Sequence, residues 1–101
     1  MIIKIDHSKN LDILKAKYTD AVQKHLDDFA QTRGYDSIMS AASYATSTNP
    51  KFAVEGQYAV AARDATWAKY YEVLAEVEAG SRKMPTLDEL LAELPVLAWP
   101  N

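Results

Sequence analysis

The stretch LDILKAKYTDAVQKHLDDFAQTRGY, residues 11–35, decides the fold. Its apolar positions Leu11, Leu14, Tyr18, Val22, Leu26 and Phe29 recur at intervals of three and four, the period of one face of an α-helix. Lys15, Lys17, Asp20, Lys24, Asp27 and Gln31 occupy the other face, which is therefore solvated. Ser8 or Asn10 can cap the start, and Asp12 lies in the first turn, where the helix dipole favours negative charge. Arg33-Gly34-Tyr35 is a stop signal: a basic residue in the last turn, a glycine able to turn left-handed, and an apolar residue that folds back on the helix. The pattern predicts an amphipathic helix from about Leu11 to Arg33, with an apolar stripe that needs a second helix to cover it.

Working outward, Asp36 is placed to cap a shorter helix from Ser37 to about Ala45, whose inward residues Ile38, Ala41, Ala42 and Ala45 are mostly small and permit close approach. Thr46-Ser47-Thr48-Asn49-Pro50 reads as a loop, because its side chains offer the backbone local alternatives to a helical ladder. A long helix is predicted from about Lys51 or Phe52 to Ala79, stopped at Gly80-Ser81, with Val60, Trp67, Tyr70, Tyr71, Leu74 and Val77 on or near one stripe. At 1.5 Å per residue it spans roughly 40 Å. Its first half, Ala53 to Ala62, is small and apolar nearly all round, which calls for burial on more than one side or for a partner chain. Gly56 within it marks either a break near the helix start or the crossing of another backbone. Thr86-Leu87-Asp88-Glu89 forms a capping box that opens a fourth helix, with Leu87, Leu90, Leu91 and Leu94 on its buried face and Pro95 as its end. Residues 95–101 form an extended apolar arm bracketed by prolines, in which Leu97 and Trp99 call for a groove. Residues 1–10 are expected to be an extended strap, in which Met1 to Ile5 either pack on the helices or offer a pairing edge to another chain.

The expected architecture is one all-α domain over residues 1–101: two long antiparallel helices, two short helices and an extended N-terminal segment. Composition agrees. In 101 residues, 49% are hydrophobic and 25% charged, as in ordinary folded domains, and the length allows one core. Three Gly and four Pro give too little punctuation for a small β-sandwich or barrel. The formal charge of −3 carries no basic footprint for a nucleic-acid backbone. No run of about 18 uncharged apolar residues provides a membrane span. The absence of cysteine removes disulfides, thiol nucleophiles and thiolate-bound zinc.

Residues able to carry chemistry are sparse. His7 and His25 are too far apart for a helical metal pair, and His25 reads as a boundary residue with its ring half-packed. Asp27 and Asp28 are adjacent on a helix and so do not face each other. Serines 37, 40, 43 and 47 lack an adjacent base or a glycine-rich oxyanion site. No catalytic, cofactor or metal residue is assigned, and an enzyme is not expected. Arg63-Asp64 is either a polar latch to a neighbouring element or a pair of which one member is exposed and the other meets the Ser/Thr-rich segment. Tyr35, Tyr44, Phe52, Tyr58, Trp67, Tyr70 and Tyr71 form either a binding platform or the core. Contact surfaces are expected at Gly56, Val60, Arg63 and Trp67 on the long helix and at Leu97 and Trp99 on the arm.

Arg33-Gly34-Tyr35-Asp36-Ser37-Ile38, Ser43-Tyr44-Ala45, Asn49-Pro50-Lys51-Phe52, Glu55-Gly56 and Arg63-Asp64-Ala65-Thr66-Trp67, with the ending Pro85-Thr86 through Leu94-Pro95 and Trp99-Pro100, resemble a family of short proteins and segments of tailed bacteriophages and prophages. Sequences of that family occur in the tail-fibre region, alone or joined to fibre or fibre-assembly proteins. The resemblance covers most of Leu11 to Pro100 and transfers no catalytic residue. It implies a tail-associated protein-interaction module, with a tail-fibre or other tail protein as partner, homo-oligomerisation as a further mode of association, and a place in the host cytoplasm during assembly or in the virion tail. A small acidic adaptor or inhibitor acting on a host protein is the alternative.

Overall fold

In the computed structural model, the backbone is described for residues 7–100 and side chains for residues 12–100. The expectation for Met1 to Ile5 lies outside the described residues. The chain is all-α: α1 (His7–Gln31), α2 (Ile38–Ala42), a 3-10 helix (Ser43–Thr46), α3 (Pro50–Glu78) and α4 (Leu87–Glu93), with no strand among the described residues. No helix is long and apolar enough to cross a membrane.

α1 begins four residues before the expected start, so the end of the anticipated strap is helical and Ser8 and Asn10 lie inside the helix rather than capping it. Serine and asparagine cost a helix interior only a few tenths of a kcal/mol, roughly, and do not force a start. The stop lies where the sequence puts it. Gly34 has φ +86°, Tyr35 N–H donates to Ala30 O (3.2 Å) and Gly34 N–H to Gln31 O (3.0 Å). α3 ends in the same way: Gly80 has φ +77°, with Ser81 N–H donating to Glu76 O (2.9 Å) and Gly80 N–H to Val77 O (3.0 Å). Both long helices are closed by a glycine that alone adopts this backbone without strain.

Ser37, not Asp36, caps α2, its hydroxyl accepting from Ser40 N–H at 3.1 Å. The expected helix to Ala45 divides after Ala42 into the 3-10 helix, which bends the chain toward Asn49. Asn49 Oδ1 accepts from Lys51 and Phe52 N–H, and Pro50 takes the first helical position, where no donor is needed. The α4 capping box is complete: Glu89 N–H donates to Thr86 Oγ1 (3.2 Å) and Thr86 N–H to Glu89 Oε1 (2.9 Å).

α1 and α3 run antiparallel. Lys15 pairs with Glu78 at one end, and Arg33 pairs with Glu55 at 3.0 Å toward the other. Between these ends lie two clusters. Tyr18, Val22, Tyr70, Val73, Leu90 and Leu94 form the first, where α4 covers the helix pair. Tyr18 OH ties α1 to the chain before α4 by donating to Pro85 O (2.8 Å), and Arg82 ties the linker to α4 through Glu93 (2.7 Å). Leu26, Ala30, Ile38, Ala41 and Ala59 form the second, where α2 closes the other end. Trp67 packs against both clusters. Tyr71, expected near the inward stripe, is 60% exposed and leans on Trp67 and Tyr70.

Candidate docking site at the α2–α3 end

One side of the apolar first half of α3, carrying Glu55, Gly56, Ala59 and Ala62, is buried by its own chain, while Val54 stays exposed. Gly56 is buried against the 3-10 helix so closely that a Cβ placed on it would lie 2.5 Å from the Tyr44 carbonyl carbon and 2.8 Å from Ala45 Cα. Of the two readings of Gly56, the structure has the crossing backbone. Ala59 packs into the cluster with Leu26, Ile38 and Ala41.

The arm after Pro95 covers a further side, and its groove lies on the same chain. Leu97 packs against the second cluster. Ala98 N–H donates to Tyr58 OH (2.9 Å), and the Trp99 indole N–H donates to Thr32 Oγ1 (3.0 Å). The Trp99 ring stacks on Phe29 with centroids 4.4 Å apart and planes 15° apart, and the Arg33 guanidinium lies 5.7 Å from its centroid. His25, half-buried, lines the groove between α1, α4 and this arm.

From Trp99 a ladder of aromatic rings crosses the end of the molecule. Trp99 meets Tyr58 and Tyr35, each at 5.9 Å; Tyr35 meets Tyr44 at 5.6 Å; Tyr44 meets Phe52 edge-on at 5.5 Å. The ladder starts among half-buried rings and ends at the surface, where Tyr44, Phe52 and Val54 are each more than two-fifths exposed.

Glu55 sits under the ladder, only 5% exposed, and is the one acidic residue in the apolar first half of α3. It accepts from Tyr35 OH (3.0 Å) and from Arg33 (3.0 Å), so the buried carboxylate is both paired and hydrogen-bonded. Burial raises the Tyr35 phenol above its ordinary pKa, and its hydrogen bond to Glu55 raises it further. The phenol therefore stays protonated and keeps donating.

Two clefts open beside this pair. One, of about 550 Å³, is lined by Arg33, Pro50, Lys51, Val54, Glu55 and Pro100. The other, of about 290 Å³, shares Arg33, Lys51 and Glu55 and adds Gly34, Tyr35, Tyr44 and Phe52. The arrangement offers apolar walls, exposed aromatic edges and cationic groups. Among the described residues, no three His, Asp or Glu side chains come together as a metal-holding group.

The residues expected to form contact surfaces fall in different settings. Gly56, Leu97 and Trp99 are engaged within the chain, Trp67 bridges the two clusters, and Val60 is half-buried. Among the described residues Arg63 bonds only its neighbour, its Nε donating to Asp64 at 3.1 Å, so within them the pair is neither a latch nor a contact to the Ser/Thr-rich segment. This geometry follows from exposure, since two side chains facing solvent on one helix edge meet each other more easily than a distant partner. The cleft residues Arg33, Pro50, Lys51, Val54 and Glu55 carry no site assignment in the sequence reading. The lone acid of an apolar half-helix was the available signal. No protein-family model, curated protein or solved structure matches this chain.

Proposed function

We propose that the chain is a non-enzymatic protein-interaction module of the bacteriophage tail, assisting assembly of the tail fibre or forming part of it, and that it docks its partner through the α2–α3 end. The carrying observation is convergence. Strings separated in sequence, Arg33-Gly34-Tyr35, Ser43-Tyr44-Ala45, Asn49-Pro50-Lys51-Phe52, Glu55-Gly56 and Trp99-Pro100, meet in one aromatic and ionic cluster whose outer rim is exposed. These strings are among those that carry the resemblance to the tail-fibre-region proteins; Arg63-Asp64-Ala65-Thr66-Trp67 and Pro85-Thr86 through Leu94-Pro95, which also carry it, lie outside this cluster. Tyrosine, phenylalanine and arginine beside an apolar cleft are the side chains that dominate protein interfaces. An acidic adaptor for a host protein has less support, because the cleft is lined by cations.

Co-expression with a candidate tail-fibre protein of the same phage or prophage tests the reading. A tagged chain should retain the fibre protein through purification, and the Tyr44→Ala/Phe52→Ala double variant, whose rings are substantially exposed, should lose most of it while keeping the wild-type helical content. No retention by the wild type, or equal retention by the double variant, contradicts the reading.

A further inference from the structure

The two clefts share Arg33, Lys51 and Glu55 and so adjoin along these residues, together making a groove. Its charges do not balance. Arg33 is held by Glu55 at 3.0 Å, whereas Lys51 is exposed and makes no ion pair among the described residues. Among the described lining residues, two cations against one carboxylate leave a single positive charge over walls made by Pro50, Val54 and Pro100. The arm shows what kind of chain this end accepts. Residues 95–100 cross the aromatic ladder without regular secondary structure, held by ring stacking, by one backbone N–H donating to a tyrosine hydroxyl and by the Trp99 indole N–H donating to Thr32. The outer ladder and the groove continue from the point that Pro100 reaches.

We propose that this groove takes an extended segment of a partner protein, with one carboxylate side chain against Lys51 and Arg33 and a proline or aliphatic side chain against Pro50, Val54 and Pro100. A single carboxylate matches the single uncompensated charge, whereas a dianionic group would leave excess negative charge beside Glu55. Charge complementarity of this kind sets register and rejects wrong partners more than it adds raw affinity. The inference deepens the docking reading and rests on it for the identity of the partner as protein.

The test uses the full chain and two pools of fluorescent heptapeptides, one with a fixed central aspartate followed by proline, the other with asparagine in place of the aspartate, read by anisotropy. Wild type should bind the aspartate pool at least ~10-fold more tightly than the asparagine pool, Lys51→Arg should keep that preference, and Lys51→Glu should abolish it. Lys51→Glu should fold normally, because position 51 is exposed in the first turn of α3, where a negative charge is favoured. Equal binding of the pools, or an undiminished preference in Lys51→Glu, overturns the assignment; so does tighter binding of a phosphoserine pool. Lys51→Glu carried into the fibre co-purification separates the two claims. Undiminished retention of the fibre protein leaves docking standing and removes the groove. Carboxylate-selective peptide binding without any fibre retention keeps the groove and removes the fibre as partner.

Discussion

At the scale of single residues, the glycines show two different constraints. Gly34 has open space around its missing side chain but φ +86°, so Gly34→Ala should cost about 1–2 kcal/mol through backbone strain alone. Gly56 has an ordinary helical backbone and no room, because its Cβ would meet the backbone of Tyr44 and Ala45. Gly56→Ala should gain helix propensity of about 1 kcal/mol and still lose stability by about 1–3 kcal/mol, as overpacking against main chain cannot relax by a rotamer change. Urea unfolding of the two variants checks both values. Thr66 is fully buried, and its hydroxyl has no hydrogen-bond partner among the described residues. Thr66→Val keeps the shape and removes that unpaired group, so its unfolding midpoint should rise by the equivalent of about 1 kcal/mol. Residue-level legibility follows the same division. Gly34 was readable because its chain neighbours supply the whole stop signal. Gly56 could be narrowed only to a break or a crossing backbone, since the obstructing atoms lie eleven positions away. Glu55 gave no indication of its partners, because a carboxylate on a helix ordinarily faces water.

At the scale of elements, α4 is fastened by charge and the arm by aromatic contact. Arg82 bonds Glu93, which lowers that carboxyl's pKa, and the Thr86 backbone and hydroxyl lower that of Glu89. Both carboxyls are therefore more acidic folded than unfolded, so the unfolded chain binds more protons as pH falls. Their contribution is complete above the ordinary carboxylate pKa of about 4.3 and is lost as pH falls through the lower folded values. Glu93→Gln should melt below wild type at neutral pH and converge with it in acid, as thermal melts across that range would show. The arm is tested by Trp99→Ala, which removes the stack on Phe29 and the bond to Thr32 and should cost about 2–3 kcal/mol in thermal unfolding. A shift of only a degree or two would mean that the arm is not seated. Periodicity made the four helices legible, with α2 shortened by its 3-10 continuation. The seat of the arm was not legible, because an extended segment has no period that points to its groove.

At the scale of the whole molecule, the body measures 65 × 24 × 20 Å, and its two clusters meet at Trp67. α4 completes one cluster, and α2 with the arm completes the other. The apolar excess in the first half of α3 and in the arm, which in sequence called for extra cover, is covered by the chain in part: Gly56, Ala59 and Ala62 are buried and Leu97 and Trp99 are half-buried, while Val54 and Val96 remain exposed. The α2–α3 end combines exposed aromatic edges with a cleft and an uncompensated lysine. The all-α class and the antiparallel helix pair were legible from two long amphipathic patterns. The site was not, since its parts come from α1's end, the 3-10 helix, α3's start and the arm, and only folding brings them together. Hydrogen exchange of the full chain with and without the proposed tail-fibre partner tests the central claim most directly. Added protection should fall on residues 33–54, and strongest at Tyr44 and at Lys51 to Val54. Protection confined to α4 or to the C-terminal half of α3, or none anywhere, would contradict it.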